Sequence, residues 1–141
     1  MTESDRFQDN SSGVITDNKH KKHWLPKDSW GDLGQWRNLN EAIGYVRLMN
    51  QVYAGGYSNW RLPTSQEAQD LYDITYDQID WEEEVVHIST LFVTKCSNYI
   101  WTSDKDENQK ACRINLRNKE LEFVDPNTRD HQAARLIRDI S

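Results

Sequence analysis

The sequence predicts an α+β fold, because its strand-like and helix-like segments are segregated along the chain and do not alternate. Short extended segments come first, two amphipathic helices follow, and a run of strands completes the chain. At 141 residues the chain is long enough for one domain with a single core. We therefore expect a disordered tail over residues 1–5 and a single domain over residues 6–141.

The first strands are predicted from the turn residues that separate them. Residues 6–9 and 14–17 have strand character, and the segment 10–13 between them is rich in Asn, Ser and Gly. A third extended segment covers residues 23–25 and ends at Pro26. We expect these three segments to form a small antiparallel meander.

Two helices are predicted in the middle of the chain. The first covers residues 41–53, is capped by Asn38 or Asn40, and ends at a pair of glycines. The second begins after Thr64, because the run Thr-Ser-Gln-Glu at 64–67 fits a capping box. The apolar face of the first helix follows the i, i+3, i+4, i+7 spacing and consists of Ala42, Tyr45, Val46, Met49, Val52 and Tyr53.

Two segments have weaker signals. Residues 30–36 contain two glycines and two tryptophans, and we expect a loop with aromatic anchors there. The segment 74–98 is long for a connection. A helical turn is considered at 80–84, and a strand or an extended loop is considered at 85–93. Such a long connection is often a functional loop.

The last third of the chain reads as a strand meander. Its strands are predicted at 99–103, 112–116 and 121–124, with a long turn between the first two and a short one before the third. A terminal strand at 135–138 is expected to pair with the N-terminal meander. This arrangement favours an antiparallel sheet.

Charge and composition count against some functions. The formal net charge is −6, whereas nonspecific binding to nucleic acid or to an anionic membrane needs a basic surface. No segment has the roughly 18 apolar residues of a membrane span. The first residues are polar and acidic and do not resemble a signal peptide. We expect a cytoplasmic protein from the sequence as it stands, or an extracellular one if a leader has been removed.

Metal and catalytic motifs are weak. Cys96 and Cys112 match no zinc pattern, and we expect free thiols in a reducing compartment, with a disulfide left open. Asp104, Asp106 and Asn108 alternate as the ligands of a calcium loop do, but the glycine and glutamate of such a loop are missing. We therefore expect no metal and no cofactor, with Ca²⁺ as the weaker alternative. No motif predicts a catalytic residue.

Three separated motifs carry a resemblance to a known family. The first runs from Arg6-Phe7 through Asp9-Asn10, Gly13 and Ile15-Thr16-Asp17-Asn18 to a tryptophan at 24. The second is the string Gly-Gly-Tyr-Ser-Asn-Trp-Arg-Leu-Pro-Thr at 55–64, and the third combines 99–103 with 134–138. Together they resemble, over residues 6–138, the Lcl C-terminal domain family, long catalogued as a domain of unknown function.

The resemblance implies a C-type-lectin-like fold. In such a fold two helices pack on a twisted antiparallel sheet, the first and last strands pair, and a long irregular region presents the ligand surface. Members are often extracellular, and the namesake adhesin domain binds sulfated polysaccharides. The acidic net charge of this chain and the many charges in the segment 76–95 count against binding of a polyanion.

We interpret the chain as a noncatalytic module whose loops 74–98, 104–110 and 125–131 bind a carbohydrate or a protein. Aromatic rings would stack on sugars, and polar groups would bond hydroxyls. The candidate ligand-binding residues are Trp81, Trp101, Asp104, Asn108, Asn127 and Arg129. Because Trp101 lies in the middle of a predicted strand, a core position is left open for it as the alternative. The alternatives are an intracellular structural or assembly subunit and, with less support, an enzyme related to the formylglycine-generating oxidases, which use cysteines. The oligomeric state stays open.

Overall fold

The computed structural model describes residues 6–10 and 12–140 and has an α+β architecture. The predicted tail at 1–5 lies outside the described residues. In chain order the elements are β1 (Phe7–Asp9), β2 (Ile15–Asp17), β3 (Lys22–Trp24), α1 (Ser29–Leu33), α2 (Leu39–Gln51), a 3₁₀ turn (Ala54–Gly56), α3 (Ser65–Leu71), β4 (Gln78–Ile79), β5 (Val85–Val86), β6 (Tyr99–Lys105), β7 (Ala111–Asn115), β8 (Leu121–Val124), β9 (Gln132–Ala133) and β10 (Ile137–Asp139).

The first sheet joins the two ends of the described chain. Its order is β1-β2-β3-β10, and every pair in it is antiparallel. The prediction that the terminal strand pairs with the N-terminal meander is therefore confirmed. The expected pairing of the first strand with the last is wrong, because β2 and β3 lie between β1 and β10 in the sheet.

The second sheet has the order β8-β7-β6-β9. The three strands predicted in the last third of the chain are confirmed as β6, β7 and β8, which pair antiparallel. Strand β9 was not predicted, and it pairs parallel to β6 with Tyr99 opposite Gln132. We expected an antiparallel sheet, and the observed sheet is mixed because β6 and β9 are parallel.

Both predicted helices have a predicted capping residue, and the first of them begins and ends two residues earlier than expected. The Asn38 side chain accepts from the Glu41 amide at 2.9 Å, so α2 begins at Leu39. It ends at Gln51, two residues earlier than predicted, because Tyr53 adopts the left-handed region with φ 53°. Val52 and Tyr53 are consequently exposed and not part of the buried face.

A short helix replaces the loop predicted at 30–36. The Asp28 carboxylate accepts from the Gly31 amide at 2.8 Å and starts α1, and Gly34 ends it with φ 68°. The two glycines that suggested a loop are thus one interior helical residue and one helix terminator. The described residues hold three α-helices where two were predicted.

The glycine-rich string at 55–64 is architectural. Trp60 is buried, and its indole Nε1 donates to the Ala54 carbonyl at 2.8 Å. The Asn50 side chain bonds both the amide and the carbonyl of Trp60. Arg61 forms a two-pronged hydrogen bond to Glu67, at 2.6 and 2.8 Å. These contacts fasten the end of α2 to the start of α3.

The capping box of α3 leads to a pH prediction. Hydrogen bonds from Arg61, and then from the Thr64 amide and Lys22, outweigh the effect of burial and lower the pKa of Glu67 from 4.5 to about 2. A lowered pKa stabilises the fold above the unfolded value near 4.5, and this contribution is lost as the pH falls from about 4.5 toward 2.

We expect the midpoint of urea unfolding to fall more between pH 6 and pH 3 for the wild-type protein than for the Glu67→Gln variant. Glutamine keeps an oxygen for the Thr64 amide but has no charge to lose. Glu107→Gln, at an exposed position, is the control and should keep the native pH dependence. An equal drop in native protein and Glu67→Gln would contradict the assignment.

Candidate ligand-binding site

Four aromatic side chains from distant parts of the sequence meet at one partly exposed surface, which we call the aromatic face. Trp30 and Trp36 stack with parallel rings whose centroids are 3.8 Å apart. Trp36 meets Trp81 edge-on at 5.1 Å, and His131 lies over Trp81 at 4.2 Å. All four side chains are only partly buried. The aromatic face is thus a continuous ring surface that solvent reaches.

Three separate segments supply the aromatic face. Trp30 lies in α1 and Trp36 in the connection that follows it, while Trp81 lies in the turn between β4 and β5. His131 directly precedes β9. The long segment 74–98, which has a short hairpin in place of the helical turn considered for it, therefore brings one tryptophan to this surface.

Backbone contacts hold these segments in place. The buried Trp101 indole donates from Nε1 to the Arg37 carbonyl at 2.8 Å. The Arg37 amide in turn donates to the Gln132 carbonyl at 3.1 Å, and the Leu39 amide donates to the Pro126 carbonyl at 3.0 Å. The connection that holds Trp36 is therefore attached to β6 and to both ends of the 125–131 loop. A site fixed in this way loses little conformational entropy when it binds.

Trp81 is held by its own partners. Its indole Nε1 donates to the Asn98 side-chain oxygen at 2.9 Å, and its amide donates to the Cys96 carbonyl. The neighbouring Asp80 is fully buried and accepts from Arg117 Nε at 2.7 Å. Asp80 also accepts from the amides of Glu82 and Glu84, which shapes the turn. The orientation of the Trp81 ring is thus set by the turn between β4 and β5 and by its hydrogen bonds to Cys96 and Asn98, just before β6.

A polar groove of about 380 Å³ adjoins the aromatic face. It is lined by Gln35, Trp36, Arg37, Glu41 and Arg129. Glu41 Oε1 accepts from Arg129 Nε at 2.9 Å, and Arg37 lies 3.5 Å from the other carboxylate oxygen. The hydrogen bond from Arg129 and the one from the Asn38 amide hold the pKa of Glu41 below its usual range. The groove therefore offers charged donors and one ionised acceptor next to aromatic rings.

The structure separates the six predicted ligand-binding residues. Trp81 belongs to the aromatic face, and Arg129 lines the groove beside it. Asn127 is exposed in the same 125–131 loop, where its amide donates to Asp125. Trp101 was wrongly placed among the ligand contacts, because its side chain has no exposed surface and serves as a core anchor.

The two remaining candidates lie in the β6–β7 hairpin. Asp104 accepts from the Ser65 amide at 2.8 Å, at the start of α3. Asn108 is exposed, and its amide donates to the Asp106 carboxylate, which also accepts from the Lys110 amide. Within residues 6–10 and 12–140, neither Asp104 nor Asn108 nor the neighbouring Asp106 contacts the aromatic face.

The weak calcium candidate uses the same hairpin. Asp104 and Asp106 both accept backbone amides, so each carboxylate has a structural role without an ion. Across the part of the chain that the structure describes, no three His, Cys, Asp or Glu side chains cluster as a metal site requires. The expectation that no metal binds stays a prediction.

The cysteines are buried and free. Burial raises the pKa of Cys96 to about 11, and burial also raises the pKa of Cys112. Because the thiolate is the reactive form, neither thiol has the character of a nucleophile at neutral pH. Free thiols were the expected state.

The sequence analysis missed Trp30, Trp36 and His131 as surface residues of the site. Two tryptophans in a polar, glycine-containing stretch were read as anchors of a loop. Their partial exposure was the relevant feature, and only the contacts of Trp36 with Trp30, Trp81 and His131 reveal it. A tryptophan in a polar segment without apolar neighbours was the one signal available.

The comparison with family sequences now adds to this geometry. Residues 13–138 match the Lcl C-terminal domain, which is nearly the whole chain. The chain belongs to the Lcl C-terminal domain family. The resemblance drawn from the three sequence motifs is therefore confirmed. The search of curated proteins gave no match.

The helices of this Lcl C-terminal domain are short. Over the described ranges, no helix combines the length and apolar character needed to cross a bilayer. The longest, α2, has 13 residues.

Proposed function

We propose that this Lcl C-terminal domain is a noncatalytic module that binds oligosaccharides through the aromatic face. The observation that carries the proposal is the convergence of Trp30, Trp36, Trp81 and His131 from three segments at a surface that solvent reaches. Large aromatic rings that could be buried are instead kept partly exposed, and clusters of this kind mark interaction sites.

The chemistry of a sugar suits this surface. The face of an indole ring carries partial negative charge, whereas the C–H groups on one side of a pyranose carry partial positive charge. A sugar can therefore lie flat on a tryptophan and bury apolar area. The indole N–H groups of Trp30 and Trp36 have no hydrogen-bond partner among the described residues and can donate to sugar hydroxyls.

The polar groove provides orientation. Arg37 and Arg129 offer several N–H donors, and the Glu41 carboxylate accepts from hydroxyl groups. The groove contains both signs of charge, and the chain has a net charge of −6. These charges favour a neutral oligosaccharide over a sulfated polymer.

The overall arrangement supports a C-type-lectin-like fold as part of the proposal. A terminal strand closes an N-terminal meander, a second sheet follows, and irregular segments on its flank carry the aromatic face. The cysteine-dependent enzyme considered above gains no support, because both thiols are buried with raised pKa values.

The test is a glycan array followed by titration calorimetry with the best neutral oligosaccharide. We expect Trp36→Ala and Trp81→Ala each to weaken binding by about tenfold or more, as a loss of roughly 1.4 kcal/mol or above does. Phe123→Ala removes an exposed aromatic residue outside the aromatic face and should bind normally.

The variants must first show native thermal unfolding, and Trp36→Phe is available if the alanine variant is unstable. An array with no neutral ligand would overturn the proposal. Retention of full affinity by both tryptophan variants would also overturn it, since binding would then use another surface.

A further inference from the structure

A second cavity lies apart from the aromatic face, between α2 and β6. It has a volume of about 450 Å³. Its walls are formed by Leu39, Ile43 and Val46 of α2 and by Leu62. Cavities of this size with mostly apolar walls and few polar groups are typical of small-molecule sites.

The apolar wall is incompletely covered. Leu39 and Leu62 are buried in the core, whereas Ile43 and Val46 pack against the core and remain partly exposed. These two residues lie on one side of α2, next to the buried stripe that contains Ala42 and Tyr45. Apolar surface left in water costs about 25 cal/mol per Å², so a ligand that covers it gains affinity.

One end of the cavity is polar and has unused donors. Lys105 and Ser103 line it, and within residues 6–10 and 12–140 the Lys105 ammonium and the Ser103 hydroxyl have no side-chain partner. The Asp104 carboxylate between them accepts from the Ser65 amide, and no ion pair joins it to Lys105 among the described residues. The remaining cation of the lining, Arg61, is already bonded to Glu67 and Asp139.

We propose that this cavity binds a free straight-chain aliphatic carboxylate. The chain lies along Ile43 and Val46, and the carboxylate meets Lys105 and Ser103 at the polar end. An unpaired ammonium and a hydroxyl donor are complementary to a carboxylate, which only accepts when ionised. The inference is independent of the oligosaccharide site and goes beyond it.

The two parts of the ligand contribute differently. Each methylene removed from water contributes about 0.8 kcal/mol, so the chain supplies most of the affinity. The exposed ion pair with Lys105 contributes less, about 0.2–1 kcal/mol, and is weakened by salt. The carboxylate therefore determines which ligand binds and in which orientation, and contributes less to the affinity than the chain does.

The experiment is an NMR and calorimetric titration of the full chain with sodium octanoate below its micelle concentration, and with octan-1-ol. We expect octanoate to shift the amide signals of Ile43 and Val46 and to bind more tightly than the alcohol. Lys105→Gln should weaken octanoate binding by roughly two- to fivefold and leave octan-1-ol binding unchanged.

Two further variants complete the test. Lys110→Gln removes a neighbouring exposed lysine that does not line the cavity and should bind octanoate normally. Val46→Gln makes the wall polar and should weaken both ligands. No shift at Ile43 or Val46 with millimolar octanoate would overturn the proposal. Equal binding of acid and alcohol, unaffected by Lys105→Gln, would overturn it as well.

Discussion

Replacement of Asp28 by asparagine is expected to lower the free energy of unfolding by about 3–5 kcal/mol. Arg135 is fully buried, and Asp28 Oδ2 is its carboxylate partner at 3.5 Å. The other contacts of the guanidinium are the Pro26 carbonyl at 3.3 Å and the face of Phe92. Loss of the negative charge leaves a buried cation without a counter-charge, and urea denaturation at neutral pH measures the cost.

The Asp28 carboxylate has two further roles, which the controls separate from the charge. It accepts from the Gly31 amide at the start of α1 and from the Ser97 amide at 2.8 Å. Asparagine keeps an oxygen for one of these amides. The double variant Asp28→Asn/Arg135→Met removes both charges and should be more stable than Asp28→Asn alone.

An exposed ion pair provides the comparison. Lys95 and Glu83 lie 3.9 Å apart with side chains 62% and 71% exposed, so Lys95→Gln should cost under about 1 kcal/mol. If Asp28→Asn cost no more than Lys95→Gln, the buried pair would not be holding Arg135 in the core.

Gly55→Ala is expected to destabilise the protein by roughly 2–5 kcal/mol. Gly55 has φ +62°, a left-handed conformation that costs an alanine about 1–2 kcal/mol. An added Cβ would also stand 2.4 Å from Cγ1 of the fully buried Val14, which forces the two apart. Overpacking of this kind costs about 1–3 kcal/mol more.

Gly56 is the matched control. It has φ +91° and no heavy atom within 4 Å of the position of an added Cβ, so Gly56→Ala incurs only the conformational cost. Thermal or urea unfolding should therefore rank Gly55→Ala clearly below Gly56→Ala. The double variant Gly55→Ala/Val14→Ala removes the clash, and its loss should be smaller than the sum of the two single losses.

Local rules predicted the parts of this Lcl C-terminal domain that local interactions determine. The Thr64 and Glu67 capping box and the Asn38 cap follow from spacing alone, because each bond joins residues three apart. The bidentate contact of Arg61 with Glu67 is likewise local, because it joins residues only six positions apart. The meander of β6, β7 and β8 follows from alternating apolar residues and turns.

Long-range contacts determined what the sequence did not predict. Strand β9 is two residues long, and only its position beside β6 makes it a strand. Trp81 and Trp101 were both named as ligand contacts, yet Trp81 reaches the surface, whereas Trp101 is buried, the alternative that its mid-strand position had left open. Trp36 contacts Trp81 and His131, which lie 45 and 95 positions further along the chain. No helical or strand periodicity relates residues so far apart in the sequence.

The segment from β9 to β10 has a consequence for the order of folding during synthesis. β9 completes the second sheet and β10 completes the first, and only residues 134–136 separate them. Until these residues leave the ribosome, β3 and β6 each keep a bare edge and Asp28 has no arginine beside it. The nascent chain therefore reaches its native state in a late step, and incomplete translation products would be substrates for chaperones and proteases.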